Sequence, residues 1–168
     1  VSAAYMPLEI GFSRTAGMKT FSFDYPKLKK IDVYANLYEG LAKACKFSIW
    51  VLRKNRKKAD YAYIHIKETD LPGHDGKPFE KKEMLEYIDK TLFNFLRKFC
   101  PPNKIKVVIT ADHATPCKLK SHSADPVPVL FYNGSIPKER KFNEIEARKG
   151  TLGRINGKEL LVKVGFNK

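Results

Sequence analysis

The chain has 168 residues, 43% hydrophobic and 30% charged, a composition that suits one globular domain and argues against a disordered, collagen-like or membrane-spanning chain. No stretch reaches the roughly 20 apolar residues a bilayer-spanning helix needs. Lys and Arg number 32 against 18 Asp and Glu, a formal charge of +14 that attracts polyanions, although most of it reads as a solvated lysine-rich surface. The three cysteines, Cys45, Cys100 and Cys117, form no C-x-x-C pair and are odd in number. A disulfide framework is therefore not expected, and a reducing, cytoplasmic setting is. The first residues show neither a basic segment nor an apolar core of a secretory signal. Position 1 is Val rather than Met, which suggests a processed chain or a piece of something longer.

In chain order, residues 7–17 read as a short helix, with Pro7 at its start and Gly17 at its end. The segment KTFSF (19–23) comes next as a short strand. From Asp32, a plausible N-cap, a helical pattern runs to about Asn55, with Val33, Leu37, Leu41, Ala44, Phe47 and Val51 on one face. The basic run RKNRKK (53–58) leads to YAYIHIK (61–67), a β-branched and aromatic strand. A polar loop, ETDLPGHDGKP (68–78), precedes a second amphipathic helix over 79–99. Its predicted face is Met84, Leu85, Ile88, Leu92, Phe95 and Phe99, and Pro101 and Pro102 end it. KVVIT (106–110) reads as a buried parallel strand. A second polar loop, ADHATPCKLKSHSAD (111–125), leads to the strand PVPVLFY (126–132). The tail from about Lys138 is polar and basic, with a short helix near 157–164. Strands separated by helices predict an α/β fold with a mostly parallel sheet flanked by helices. In such sheets, functional loops lie beyond the carboxyl ends of strands, and both polar loops do.

Those two loops hold three of the four histidines: His74 in the first, His113 and His122 in the second, with Asp70 and Asp112 beside them. Imidazole and carboxylate together suit zinc, manganese or iron. Asp70 and His74 are four apart, and with Pro72 and Gly73 between them a tight turn, rather than a helix, is expected to aim both at one centre. His65 alternates with Tyr61 and Tyr63 along a strand and reads as a packed histidine. Cys117 reads as a structural thiol, and Ser121 and Ser123 as residues that shape the loop around His122.

YIHIKETDLPGHDG, then VVITADHATPCKLKSHSADPVPVLFY, resemble the carboxyl-terminal part of the archaeal-type, cofactor-independent phosphoglycerate mutases of the alkaline phosphatase superfamily. The carrying motifs are D-x-x-G-H-D-G, A-D-H-x-T-P-C and H-S-x-D-P-V-P, and the opening MPLEIGFSRTAGM is similar as well. The resemblance implies that residues 1–168 form the carboxyl-terminal part of a metal-binding, alkaline-phosphatase-like domain. It implies two divalent metal ions, manganese or zinc, with magnesium as a further option. Asp70, His74 and His122 would bind one; Asp112 and His113 would bind the other. It places the nucleophilic serine in an amino-terminal part that these residues do not contain, so no catalytic nucleophile is assigned here. Lys67 is a candidate for reaching a phosphate, and Asp75 and Asp125 for orienting the ligand histidines. The implied substrate is phosphoglycerate, interconverted between its 2- and 3-forms in glycolysis and gluconeogenesis. The implied partner is the missing amino-terminal half or another copy of the chain, and the isolated chain is expected to be inactive. A phosphatase or another phosphomutase of the superfamily is the alternative. From a different class, a basic nucleic-acid-binding module built on RKNRKK is weighed and not favoured, because no known binding signature is present.

Overall fold

A computed structural model describes residues 1–27, 32–135 and 141–166. At its centre is a three-stranded parallel sheet of very short strands. β1 (Ser2–Ala3) is the middle strand, between β2 (Thr20–Phe21) and β3 (Tyr63–Ile64), with Ser2 opposite both Thr20 and Tyr63. β1 carries no β-branched or aromatic residue that would announce a strand. Its Ser2 and Ala3, and Ala4 after them, are instead small enough to be almost wholly buried.

The connections suit a parallel sheet. α1 (Pro7–Thr15) links β1 to β2, with Pro7 in its first turn and Gly17 beyond its end at φ 72°. α2 (Val33–Asn55) lies between β2 and β3. The Asp32 carboxylate caps it by accepting from the amides of Tyr34 and Ala35. α2 buries Leu41, Ala44, Cys45, Ser48 and Val51, while Val33, predicted on the same face, is exposed because it sits in the first turn, beyond the core.

After β3 comes α3 (Leu71–His74), a single helical turn where the sequence predicted a non-helical one. Pro72 permits it, because this residue lies in the first turn, where its missing N–H is not needed. α4 (Pro78–Ile88) runs through a π-helical segment (Asp89–Phe93) into α5 (Asn94–Phe99). Met84, Ile88 and Leu92 face the core as predicted, and Leu85 does not. Phe93, at the end of the wide π turn, and Leu96, beyond it, pack on the core. The extra residue rotates the remaining helix by about one position, roughly 100°. Leu41, Cys45, Met84, Ile88 and Leu92 form the core cluster, with Ile64 and Ile66 from the sheet side packed against it.

β4 (Val107–Ile109) and β5 (Leu130–Tyr132) form a separate antiparallel pair, with Val107 opposite Tyr132. The predicted buried parallel strand at 106–110 is thus corrected to one half-buried arm of an antiparallel ribbon. Residues 110–129 contain no helix to carry the chain back, so the second strand can only return against the first. α6 (Glu144–Arg148), capped by the Asn143 side chain on the Glu146 amide, was not predicted: five residues are too few to show a period. A 3₁₀ turn (Gly157–Glu159) and α7 (Leu160–Lys163) fall where a closing helix was expected. Among the described residues, no helix is long and apolar enough to cross a membrane.

Candidate metal centre

The site is made by two loops that the fold presses together: residues 65–77 after β3 and residues 110–125 after β4. Gly73 is the contact point. A Cβ there would lie 2.6 Å from the Thr115 carbonyl oxygen, so only glycine allows this approach. Lys81 holds the same carbonyl from α4, its Nζ donating over 2.8 Å. Within the second loop, the amide of Ser123 donates to the Ala114 carbonyl, and this isolated bridge folds His122 back beside His113. The two rings are 3.8 Å apart between centroids.

Asp70 sits at the N-cap position of α3 yet does not cap it. Its carboxylate turns to the second loop instead. Oδ1 accepts from the Thr115 hydroxyl at 2.7 Å and lies 3.8 Å from His122 Nε2, while Oδ2 lies 3.5 Å from His74 Nε2. One helical turn puts Asp70 and His74 on the same side. His74 Nε2 and His122 Nε2 are 3.2 Å apart. Burial raises the Asp70 carboxyl, but the Thr115 hydrogen bond and the neighbouring His74, His113 and His122 outweigh it and hold Asp70 below its ordinary value.

The outer partners set the tautomers. The Lys120 carbonyl, 3.3 Å from His74 Nδ1, can only accept, so in the neutral ring the proton sits on Nδ1 and Nε2 turns its lone pair to the cluster. Lys120 reaches this position with a left-handed backbone, φ 53°. Thr115 has one hydroxyl hydrogen, already given to Asp70. It therefore accepts from His113 Nδ1 at 3.1 Å, which in the neutral ring puts the lone pair on His113 Nε2. That nitrogen is 3.5 Å from Asp112 Oδ2.

Among the described residues, only Asp70, His74 and His122 bring three donor atoms within 4.8 Å of one another. Tetrahedral coordination at about 2.0–2.1 Å sets ligand atoms about 3.3 Å apart; the two histidine nitrogens are at that spacing, and Asp70 turns one oxygen toward each of them, Oδ2 at 3.5 Å from His74 and Oδ1 at 3.8 Å from His122. Two nitrogens and a carboxylate oxygen also suit zinc or manganese chemically. Asp112 and His113 lie alongside as a pair.

The remaining predicted residues are placed differently. Lys67, in the loop three residues beyond β3, is half exposed and lies 3.6 Å from the buried Glu9 carboxylate. Asp75 accepts from the Tyr34 hydroxyl of α2, and Asp125 from the Ser123 hydroxyl, so neither orients a histidine of the cluster; His74 and His113 meet the Lys120 carbonyl and the Thr115 hydroxyl instead. His65 packs on its strand, Nδ1 beside the Tyr63 hydroxyl. Cys117 Sγ faces the Pro72 carbonyl. Sequence reasoning missed Thr115, Gly73 and the Lys120 carbonyl. Thr115 sits two residues from His113, a spacing at which a loop hydroxyl can turn back onto the ring.

A family model described as the metalloenzyme superfamily matches residues 24–168. The chain belongs to the metalloenzyme superfamily. The solved structure of the PH0037 protein from Pyrococcus horikoshii superposes with a TM-score of 0.74 at 27% identity, covering 99% of this chain and 49% of that one. The fold is thus alkaline-phosphatase-like, a parallel sheet flanked by helices. Among curated relatives, a 2,3-bisphosphoglycerate-independent phosphoglycerate mutase from Pyrococcus horikoshii is 38% identical over 107 residues, 62% of this chain. A probable mutase of the same name from Thermosipho melanesiensis is 35% identical over 86% of the chain, and one from Picrophilus torridus 32% over 92%. The chain spans only 26%, 38% and 35% of the length of these three proteins.

Proposed function

We propose that this chain is the carboxyl-terminal part of the metal-binding domain of a cofactor-independent phosphoglycerate mutase, which interconverts 2- and 3-phosphoglycerate in the cytoplasm. The observation that supports this reading best is the convergence of Asp70, His74 and His122, with Asp112 and His113 beside them, in a chain similar to such mutases. Asp70, His74 and His122 would hold one divalent metal ion, manganese or zinc. Asp112 and His113 would contribute to a second, completed by residues outside these 168. Bound divalent ions neutralise a transferring phosphoryl group and lower the pKa of a coordinated hydroxyl. The chain's own part is positioning. Thr115 ties Asp70 to His113, so the two donor groups are fixed relative to each other, and Lys120 sets the His74 ring. Lys67 offers an ammonium group at the mouth of the same loop, and on this reading it meets the phosphate. The attacking serine would come from the remainder of the protein, which makes the isolated chain inactive.

The test is an assay of 3-phosphoglycerate conversion with added manganese or zinc. The protein expressed from its natural gene, with its flanking sequence, is expected to turn over, and His74→Ala to abolish turnover and lower the bound metal. The 168-residue chain alone is expected to show none. Turnover by the chain alone, abolished by His74→Ala, would overturn the reading of a partial site. Hydrolysis of phosphoglycerate without isomerisation would assign a phosphatase instead.

A further inference from the structure

A second feature lies at the other end of α2. The Tyr34 hydroxyl, near the start of this helix, bonds Asp75 beside the metal centre at 2.7 Å. Arg53 and Arg56 lie 19 and 22 positions further on. At about 1.5 Å per residue, this places them roughly 28 Å or more along the helix from that contact. There the end of α2 and the stretch from Thr91 through α5 line an open surface cleft of about 600 Å³. Its lining includes Arg53, Arg56, Lys98, Asn94, Phe95 and Phe99, and no carboxylate lines it among the described residues.

The cleft is organised. The Phe95 and Phe99 rings stack, with centroids 4.7 Å apart and an interplanar angle of 25°. The Arg53 guanidinium lies over Phe95, 5.1 Å from its centroid, and Arg56 Nη1 donates to Asn103 Oδ1 at 2.9 Å. Both arginines are thereby aimed rather than free in solvent. The π-helical segment Asp89–Phe93 produces the arrangement. A regular helix continuing from Met84, Ile88 and Leu92 would turn Phe95 and Phe99 onto the core. The wide turn gives that place to Leu96 and leaves the two phenylalanines in the cleft lining, Phe95 beneath Arg53 and Phe99 stacked on Phe95. Such single wide turns recur at functional sites.

We infer that this cleft binds a nucleoside phosphate at a site separate from the metal centre. Two arginines and a lysine without a competing carboxylate match a di- or triphosphate. Phe99, at the end of the Arg53–Phe95–Phe99 stack, offers an aromatic ring on which a flat base can extend the stack. The volume is in the range of small-molecule sites, about 300–1,000 Å³, and suits a mononucleotide. A nucleic-acid strand shares this chemistry but would run past the cleft along a longer basic track.

The test uses the protein expressed from its natural gene, stripped of metal, and titrated calorimetrically with ATP, adenosine, pyrophosphate and an eight-nucleotide RNA. ATP is expected to bind at least tenfold more tightly than adenosine or pyrophosphate. The double variant Arg53→Ala/Arg56→Ala is expected to weaken ATP at least tenfold, while His74→Ala leaves it unchanged. Arg53→Lys/Arg56→Lys, which keeps the charge but loses the planar stack, guards against simple misfolding: it should bind pyrophosphate as the parent does and lose the preference for ATP. Equal ATP binding by the parent and the Ala double variant would overturn the inference. So would loss of ATP binding in His74→Ala, or RNA binding tighter than ATP with a steep salt dependence, which would assign a strand.

Discussion

Thr115 does more at this site than its type suggests. It is buried, and one hydroxyl both donates to Asp70 and accepts from His113, so it joins the donor groups of the two proposed metals. Removing that hydroxyl while keeping its shape frees the His113 tautomer and strips Asp70 of a partner that keeps it ionised. Thr115→Val is therefore expected to weaken zinc or manganese binding by about 10–100-fold, read by competition with a chromophoric chelator. Because ligation requires deprotonated imidazole, the same titration should show binding weakening as the solution is acidified and protons released on binding. An affinity equal to that of the parent would show that Thr115 only packs. The residues of the proposed metal centre were legible from the sequence as candidates, since Asp70, His74, Asp112, His113 and His122 cluster in two loops. Thr115 was not, because a single threonine carries no pattern until its neighbours in space are known.

At the scale of elements, α2 shows what a sequence transmits well. Its apolar period and its Asp32 cap are both local, and both the helix and its start at Val33 come from them. Asp32→Ala should cost about 0.5–2 kcal/mol in urea unfolding, because two first-turn amides lose their acceptor. A stability unchanged within about 0.3 kcal/mol would show that water replaces the cap. The helix predicted over 79–99 shows the opposite case. Its first half keeps the period, but the wide turn at Asp89–Phe93 moves Phe95 and Phe99 off the predicted face. That turn satisfies packing on both sides of it, and packing is absent from a one-dimensional pattern. Four of the five strands fall within the predicted segments but keep only two or three residues of each, while β1, made of small residues that suit burial, gave no strand signal.

For the molecule as a whole, the exposed surface carries the next prediction. α1 buries Glu9 and Ser13 and leaves Leu8 78% and Phe12 60% exposed, an inverted pattern for a surface helix. Trp50 and Phe79 are exposed as well. If residues outside these 168 cover α1, the isolated chain should bind an apolar fluorescent dye strongly, and the protein expressed from its natural gene should not. Leu8→Ser/Phe12→Ser in the isolated chain should remove most of that signal. Equal dye binding by both forms would show that α1 faces solvent in the whole protein. The sequence by itself determined the α/β class, the two long helical segments and the five residues of the proposed metal centre, because period, capping and loop motifs are local properties of the chain. Only the tertiary structure decided that β4 and β5 pair antiparallel, that Asp70 is held by Thr115, and that Phe95 and Phe99 line a basic cleft. Each of these depends on which surfaces meet across 20 or more residues of chain, and packing, hydrogen-bond satisfaction and the absence of a crossover helix settle that only in three dimensions.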